Sequence, residues 1–155
     1  MTEEKKISIL YVDDEINNLN SFKAVFRRDY DVHIALSAQE GRAILEQRPI
    51  HILVTDQRMP GVTGVEFLES IIHDFPNPIR ILLTGYTDIE AVVDAINKGQ
   101  IYYYLTKPWD EQQLRAVFKN AFEIFSLREE NKELLNKLLV ANEQLEFLLR
   151  QKLLS

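Results

Sequence analysis

No cysteine occurs in the 155 residues. That absence excludes disulfides, thiolate catalysis and cysteine-based zinc sites. No apolar run is long enough to cross a bilayer, and the start, Met1 to Lys6, is polar and charged where a signal peptide would be apolar. Glycine is sparse, and no glycine-rich phosphate loop follows any β-branched run. Positive charge is also short, with 18 Lys and Arg against 24 Asp and Glu, a net of −6. From Glu111 onward there are seven acidic and seven basic residues, so the whole excess lies in the first 110. An acidic domain with no basic stripe is poorly suited to gripping nucleic acid or anionic membrane. Direct binding to either is therefore not expected of this chain, and a cytoplasmic location is. His33, His51 and His73 lie in separate segments without metal-ligand spacing.

What is present falls into two regimes. Between about Ile7 and Trp109, short apolar runs alternate with segments of helical period. The runs are Ile7–Val12, Val32–Ala35, Ile50–Thr55, Ile79–Leu83 and Ile101–Leu105. The first, third and fourth are almost continuously apolar, as strands buried on both faces of a parallel sheet are. Ser37 with Glu40, Thr87 with Glu90 and Asp110 with Gln113 carry helix-start chemistry. Pro60, Gly61, Gly64, Pro76, Pro78 and Gly99 punctuate the connections. Five strands alternating with five helices predict an α/β fold, a five-stranded parallel sheet wound on both faces. In such folds the working site lies at the carboxyl ends of the strands.

Those ends carry a consistent chemistry. The first run ends in Asp13-Asp14, the third in Asp56, the fourth in Thr84, and the fifth leads to Lys107-Pro108. Three carboxylates on one edge repel unless a cation offsets them. An oxygen-rich, thiol-free cluster suits Mg²⁺, with Mn²⁺ a possible substitute. A carboxylate can act as a nucleophile on phosphorus, while an ammonium and a hydroxyl bind phosphoryl oxygens. Each residue alone could be a helix cap or a solvated charge. Their recurrence at successive strand ends is what points to a site.

Ile9-Leu-Tyr-Val-Asp-Asp-Glu15 resembles the first-strand acidic motif of response-regulator receiver domains. Asp56-Gln-Arg-Met-Pro-Gly61, Leu83-Thr-Gly85 and Tyr104-Leu-Thr-Lys-Pro108 are similar to that family's remaining site motifs. The resemblance covers about residues 6 to 125 and implies a flavodoxin-like fold in a two-component system. It implies that Asp56 is phosphorylated by a sensor histidine kinase or phosphotransfer protein. It further implies Mg²⁺ held by Asp13, Asp14, Asp56 and the Arg58 carbonyl, Lys107 pairing with the phosphoryl group, and a cis Lys107–Pro108 bond. Thr84 and Tyr104 match the switch pair, read out on the face of the fourth helix, fifth strand and fifth helix. Arg58 and Tyr86 would shield the phosphoryl group from water and slow its loss. On this reading the chain is a signalling domain, not an enzyme in the ordinary sense. A haloacid-dehalogenase-type phosphatase needs Asp-x-Asp after its first strand, which adjacent Asp13-Asp14 does not provide. A degenerate receiver serving only to dimerise would not keep every site position filled.

The second regime runs from near Asp110 to Ser155 without Gly or Pro. One helix of about 40 residues would be roughly 60 Å long. Leu114, Val117, Phe118, Ala121 and Phe122 would pack it on the sheet. The predicted division is a receiver over 1–125 and a coiled-coil extension over 126–155. A heptad places Leu127, Asn131, Leu134, Leu138, Ala141, Leu145 and Leu148 in the seam, with Asn131 fixing register. A second phase uses Leu135, Leu138, Asn142, Leu145 and Leu149. Either predicts a parallel homodimer; the alternative is packing against another domain of the same polypeptide.

Overall fold

A computed structural model of the chain describes residues 5–85 and 89–155. Its elements alternate in order: β1 (Ser8–Val12), α1 (Ile16–Phe26), β2 (Asp31–Ala35), α2 (Ala38–Gln47), β3 (Ile52–Asp56), α3 (Gly64–Ile71), β4 (Ile79–Thr84), α4 (Ile89–Asn97), β5 (Tyr103–Thr106) and α5 (Glu111–Leu154). All strand pairings are parallel, in the order β2-β1-β3-β4-β5. The expected five-stranded, doubly wound, flavodoxin-like fold is the one observed.

Burial follows strand position. Every residue of β1, β3 and β4 is buried, whereas the edge strands β2 and β5 keep exposed positions. That is why their sequences show weaker apolar runs. Alternate side chains feed two cores. Ile9, Tyr11, Ile52, Val54, Ile81 and Leu83 pack under α1 and α5 with Phe22, Phe26 and Phe118. Leu10, Val12, Leu53 and Leu82 pack under α2, α3 and α4 with Phe67, Leu68 and Val92.

Helix starts differ in detail from the sequence reading. Ser37 caps α2 by accepting from the Glu40 amide, but Glu40 reaches back to the Leu36 amide instead of closing a reciprocal box. Asp110 accepts from Gln112, not Gln113. The reciprocal capping box is at α3, between Thr63 and Glu66. The cap expected at Thr87 lies outside the described residues.

Helix α5 spans 44 residues, roughly 66 Å. Leu114, Val117, Phe118 and Ala121 bury its first part. Phe122 is half-buried, its ring 5.3 Å from His51. From Leu127 onward every residue is exposed, including Leu134, Leu138, Leu145 and Leu148. Trp109 closes the loop before α5 against Phe22 and Phe26. Among the described residues no helix is long and apolar enough to cross a membrane.

Candidate functional site

The strand order reverses at β1, with β2 on one side and β3 on the other, so chain crossovers leave a crevice at the carboxyl edge between β1 and β3. Asp13 follows β1, Asp56 ends β3, Thr84 ends β4 and Lys107 follows β5. Parallel register brings them to one edge. An oxygen from each of Asp13, Asp14 and Asp56 lies within 4.8 Å of the others. Lys107 Nζ bridges two of them, 3.0 Å from Asp13 Oδ2 and 3.2 Å from Asp56 Oδ1. The Lys107–Pro108 peptide is cis.

The carboxylates have unequal environments. Asp13 is wholly buried, and burial alone would raise its pKa. Hydrogen bonds from the Tyr11 hydroxyl (2.6 Å), the Glu15 amide (2.9 Å) and Lys107 outweigh burial and hold the pKa below the usual value. Asp56 is pushed up, first by burial and then by the Asp13 charge, with Lys107 opposing. Lys107 is itself held above its ordinary value: burial works against its charge, but Asp13 and Asp56 prevail. Asp14 is exposed and completes the open side.

Three carboxylates with no sulfur or imidazole form a hard-oxygen donor set that fits a small divalent cation keeping several waters. The like-charge crowding that raises Asp56 is what such a cation would offset.

The loop after Asp56 is fixed from behind. Gln57 Oε1 accepts from the Val65 amide at 2.9 Å, and the Gln57 carbonyl accepts from the Gly64 amide at 2.9 Å. A Cβ at Gly64 would lie 2.3 Å from the Asp56 carbonyl oxygen, so only glycine permits this approach. Thr84 is buried and its hydroxyl donates to the Gly85 carbonyl at 2.9 Å. Tyr104 is exposed on β5, and Arg58 is exposed beside the site. Tyr86 lies outside the described residues.

Sequence reasoning missed Tyr11, Asn18 and Gln57. Tyr11 was legible in principle, since a residue two before Asp13 shares its strand face. Asn18, which donates to Asp13 Oδ2 at 3.2 Å, sits on α1 and required the tertiary structure.

Residues 9–119 match the response regulator receiver domain. The chain belongs to that family. This receiver domain is 36% identical over 125 residues to the hydrogenase transcriptional regulatory protein HoxA of Cupriavidus necator, covering 81% of this chain and 26% of that protein. It spans about a quarter of the length of the curated relatives it matches. A solved structure described as adenylate cyclase from Rhodopirellula baltica superposes with TM-score 0.82 at 31% identity, covering 85% of this chain and 98% of that one. A CheY-like receiver domain from Methanospirillum hungatei does so with TM-score 0.74 at 30% identity, covering 80% and 99%.

Proposed function

We propose that this receiver takes a phosphoryl group on Asp56 from a phosphohistidine of a sensor kinase or phosphotransfer protein. The observation that carries this is the meeting of Asp56 with Lys107 at 3.2 Å inside the three-carboxylate cluster. An Asp56 oxygen attacks phosphorus, and the P–N bond breaks with its electron pair returning to the imidazole nitrogen, which takes a proton from solvent. Lys107 neutralises charge on the transferred group, and Thr84 donates its hydroxyl to a phosphoryl oxygen instead of to Gly85. Asp13, Asp14, Asp56 and the Arg58 carbonyl would hold Mg²⁺, with Mn²⁺ as a substitute. When bound, the ion supplies further charge neutralisation. The buried, multiply bonded Asp13 keeps its negative charge and positions Lys107.

Exposed Tyr104 and the Thr84–Gly85 bond suit the unphosphorylated member of a two-state pair. Phosphorylation then shifts the population by drawing Thr84 inward, with Tyr104 following. The signal passes to residues 126–155, which form a parallel coiled coil between two copies, while residues 1–125 form the receiver. The domain works in the cytoplasm and does not itself grip nucleic acid or membrane; any such output belongs to what it is joined to or meets.

Intact mass after incubation with Mg²⁺ and acetyl phosphate tests the phosphoacceptor. One phosphate should add, with none on Asp56→Asn or after metal chelation. An adduct surviving Asp56→Asn would overturn the assignment. In the same assay, cutting Arg58 and Tyr86 to alanine should shorten the adduct lifetime by roughly tenfold, the equivalent of about 1.4 kcal/mol of barrier. An unchanged lifetime would remove their shielding role.

A further inference from the structure

Arg80 is a charged residue buried in a strand with no role in the chemistry above. It is 8% exposed, and none of the described ion pairs includes it. Burying an uncompensated charge is costly, and an aliphatic residue would suit a fully buried strand better. The four hydrogen bonds of the guanidinium all go to backbone carbonyls from two loops. Nε donates to Gln100 at 2.7 Å and Nη2 to Gly99 at 3.3 Å, both just beyond α4. Nη1 donates to Pro76 at 3.3 Å and Pro78 at 3.2 Å, in the loop before β4. Gln100 itself offers no substitute anchor, since its side-chain Oε1 is buried without a hydrogen-bond partner.

Strand alternation places Arg80, Leu82 and Thr84 on the same face of β4, beneath α4. Arg80 and Thr84 are about 13 Å apart at ~3.3 Å per residue. Helix α4 has nine residues and is about 13 Å long at 1.5 Å per residue. One strand thus meets the helix at both ends. Thr84 lies towards its start, and Arg80 grips the carbonyls just past its finish. Between them Val92 and Ala95 of the helix are buried and Ile96 packs half-buried against the same core, so three side chains fix its position.

We propose that Arg80 is a positioning residue that pins the carboxyl end of α4, making it the pivot about which the helix tilts when Thr84 rearranges. A helix pinned at one end converts a small displacement near Thr84 into rotation of its exposed face, which includes Ile89 and Val93. Without the pin the whole helix would shift or loosen, and the same displacement would be spread over both ends. Lysine cannot replace arginine here, because one ammonium lacks the fork needed to span four carbonyls on two loops. The tilt rests on the phosphoacceptor reading; the clamp itself does not.

Amide hydrogen exchange, residue by residue, tests this in the full chain, as wild type, Arg80→Lys and Arg80→Met. Each is measured with Mg²⁺ alone and with Mg²⁺ plus beryllofluoride, and acetyl phosphate adducts are weighed in parallel. In the wild type, the analogue should change exchange at residues 89–93 at least tenfold and at 96–100 less than twofold. In both variants the 98–100 amides should exchange at least tenfold faster even without the analogue, and the analogue should then change both ends alike. Adduct formation should stay within twofold of wild type. Should Arg80→Met not fold, Arg80→Lys alone gives the same reading. Equal changes at both ends of wild-type α4, or variants with the wild-type pattern, would overturn the pivot. Absence of any adduct on wild type would sink the phosphoacceptor reading instead, leaving the analogue-free exchange at 98–100 to decide the clamp.

Discussion

Tyr11 and Asp13 form a buried pair in which the phenol, its pKa raised by burial and by the adjacent carboxylates, stays a donor. Tyr11→Phe keeps the ring against Phe22, 4.5 Å away, and removes only the hydroxyl. A charged acceptor losing one buried donor costs about 1–3 kcal/mol. Urea unfolding at neutral pH without divalent ions should show that loss. No change would mean that Asn18, the Glu15 amide and Lys107 suffice for Asp13. His51 gives a pH test far from the acidic edge. Its Nδ1 accepts from the Ser8 amide at 2.9 Å, and the Phe122 and Phe125 rings stand nearly perpendicular to it at 5.3 and 4.8 Å. Burial lowers its pKa, so the folded state prefers neutral imidazole. The stability it contributes is therefore complete above the unfolded value of about 6.5 and is lost as pH falls through the lower folded value. Comparing melting temperatures of wild type and His51→Gln from pH 8 to 5, the wild-type advantage should shrink below about 6.5. A pH-independent difference would contradict the Ser8–His51 account.

At the level of elements, α5 has a packed first part and an exposed second part joined without a break. Its first part is fixed by Leu114, Val117, Phe118 and Ala121, and by Arg115, which pairs with Asp29 at 2.8 Å. The stretch after Leu127 is exposed throughout and touches the receiver through Lys132, which donates to Asn77, yet it displays Leu134, Leu138, Leu145, Phe147 and Leu148 to solvent. A helix that exposes such a stripe needs a partner. Leu138 and Leu145 lie in the seam of both possible heptads, so they test association without presuming a register. Changing both to glutamate should weaken self-association at least 100-fold, about 2.7 kcal/mol, in sedimentation equilibrium. Phosphorylation should be unaffected. Wild-type protein that stays monomeric at high concentration would remove the coiled-coil proposal.

Across the whole molecule, the acidic cluster and the exposed tail lie at opposite edges of the sheet. Asp13, Asp56 and Lys107 stand at the carboxyl ends. Helix α5 begins there and runs back, so its tail leaves past the amino ends, where Phe125 meets His51 and Lys132 donates to Asn77 at 2.5 Å. A signal passing from Asp56 to the tail would have to cross the sheet, and β3 and β4 both run from the site to the neighbourhood of the tail. If the tail responds to the site, sedimentation velocity with Mg²⁺ and beryllofluoride should show a changed association constant or shape. Identical boundaries with and without the analogue would confine the switch to the receiver.

The alternation of five strands with five helices, the buried character of β1, β3 and β4, and the arrival of Asp13, Asp14, Asp56, Thr84 and Lys107 at the strand ends could all be read from the chain alone. Parallel strands buried on both faces impose continuous apolar runs, and α/β topology sends their ends to one edge. Local chemistry was less reliable at helix starts, because Glu40 and Gln112 found geometries that spacing does not specify. Only the tertiary structure decided that the pKa values of Asp13 and Asp56 move in opposite directions, and that Asn18 holds Asp13. It alone placed Arg80 between the loop before β4 and the loop after α4. Those outcomes depend on which groups meet across elements, and burial and charge act through space, not along the chain.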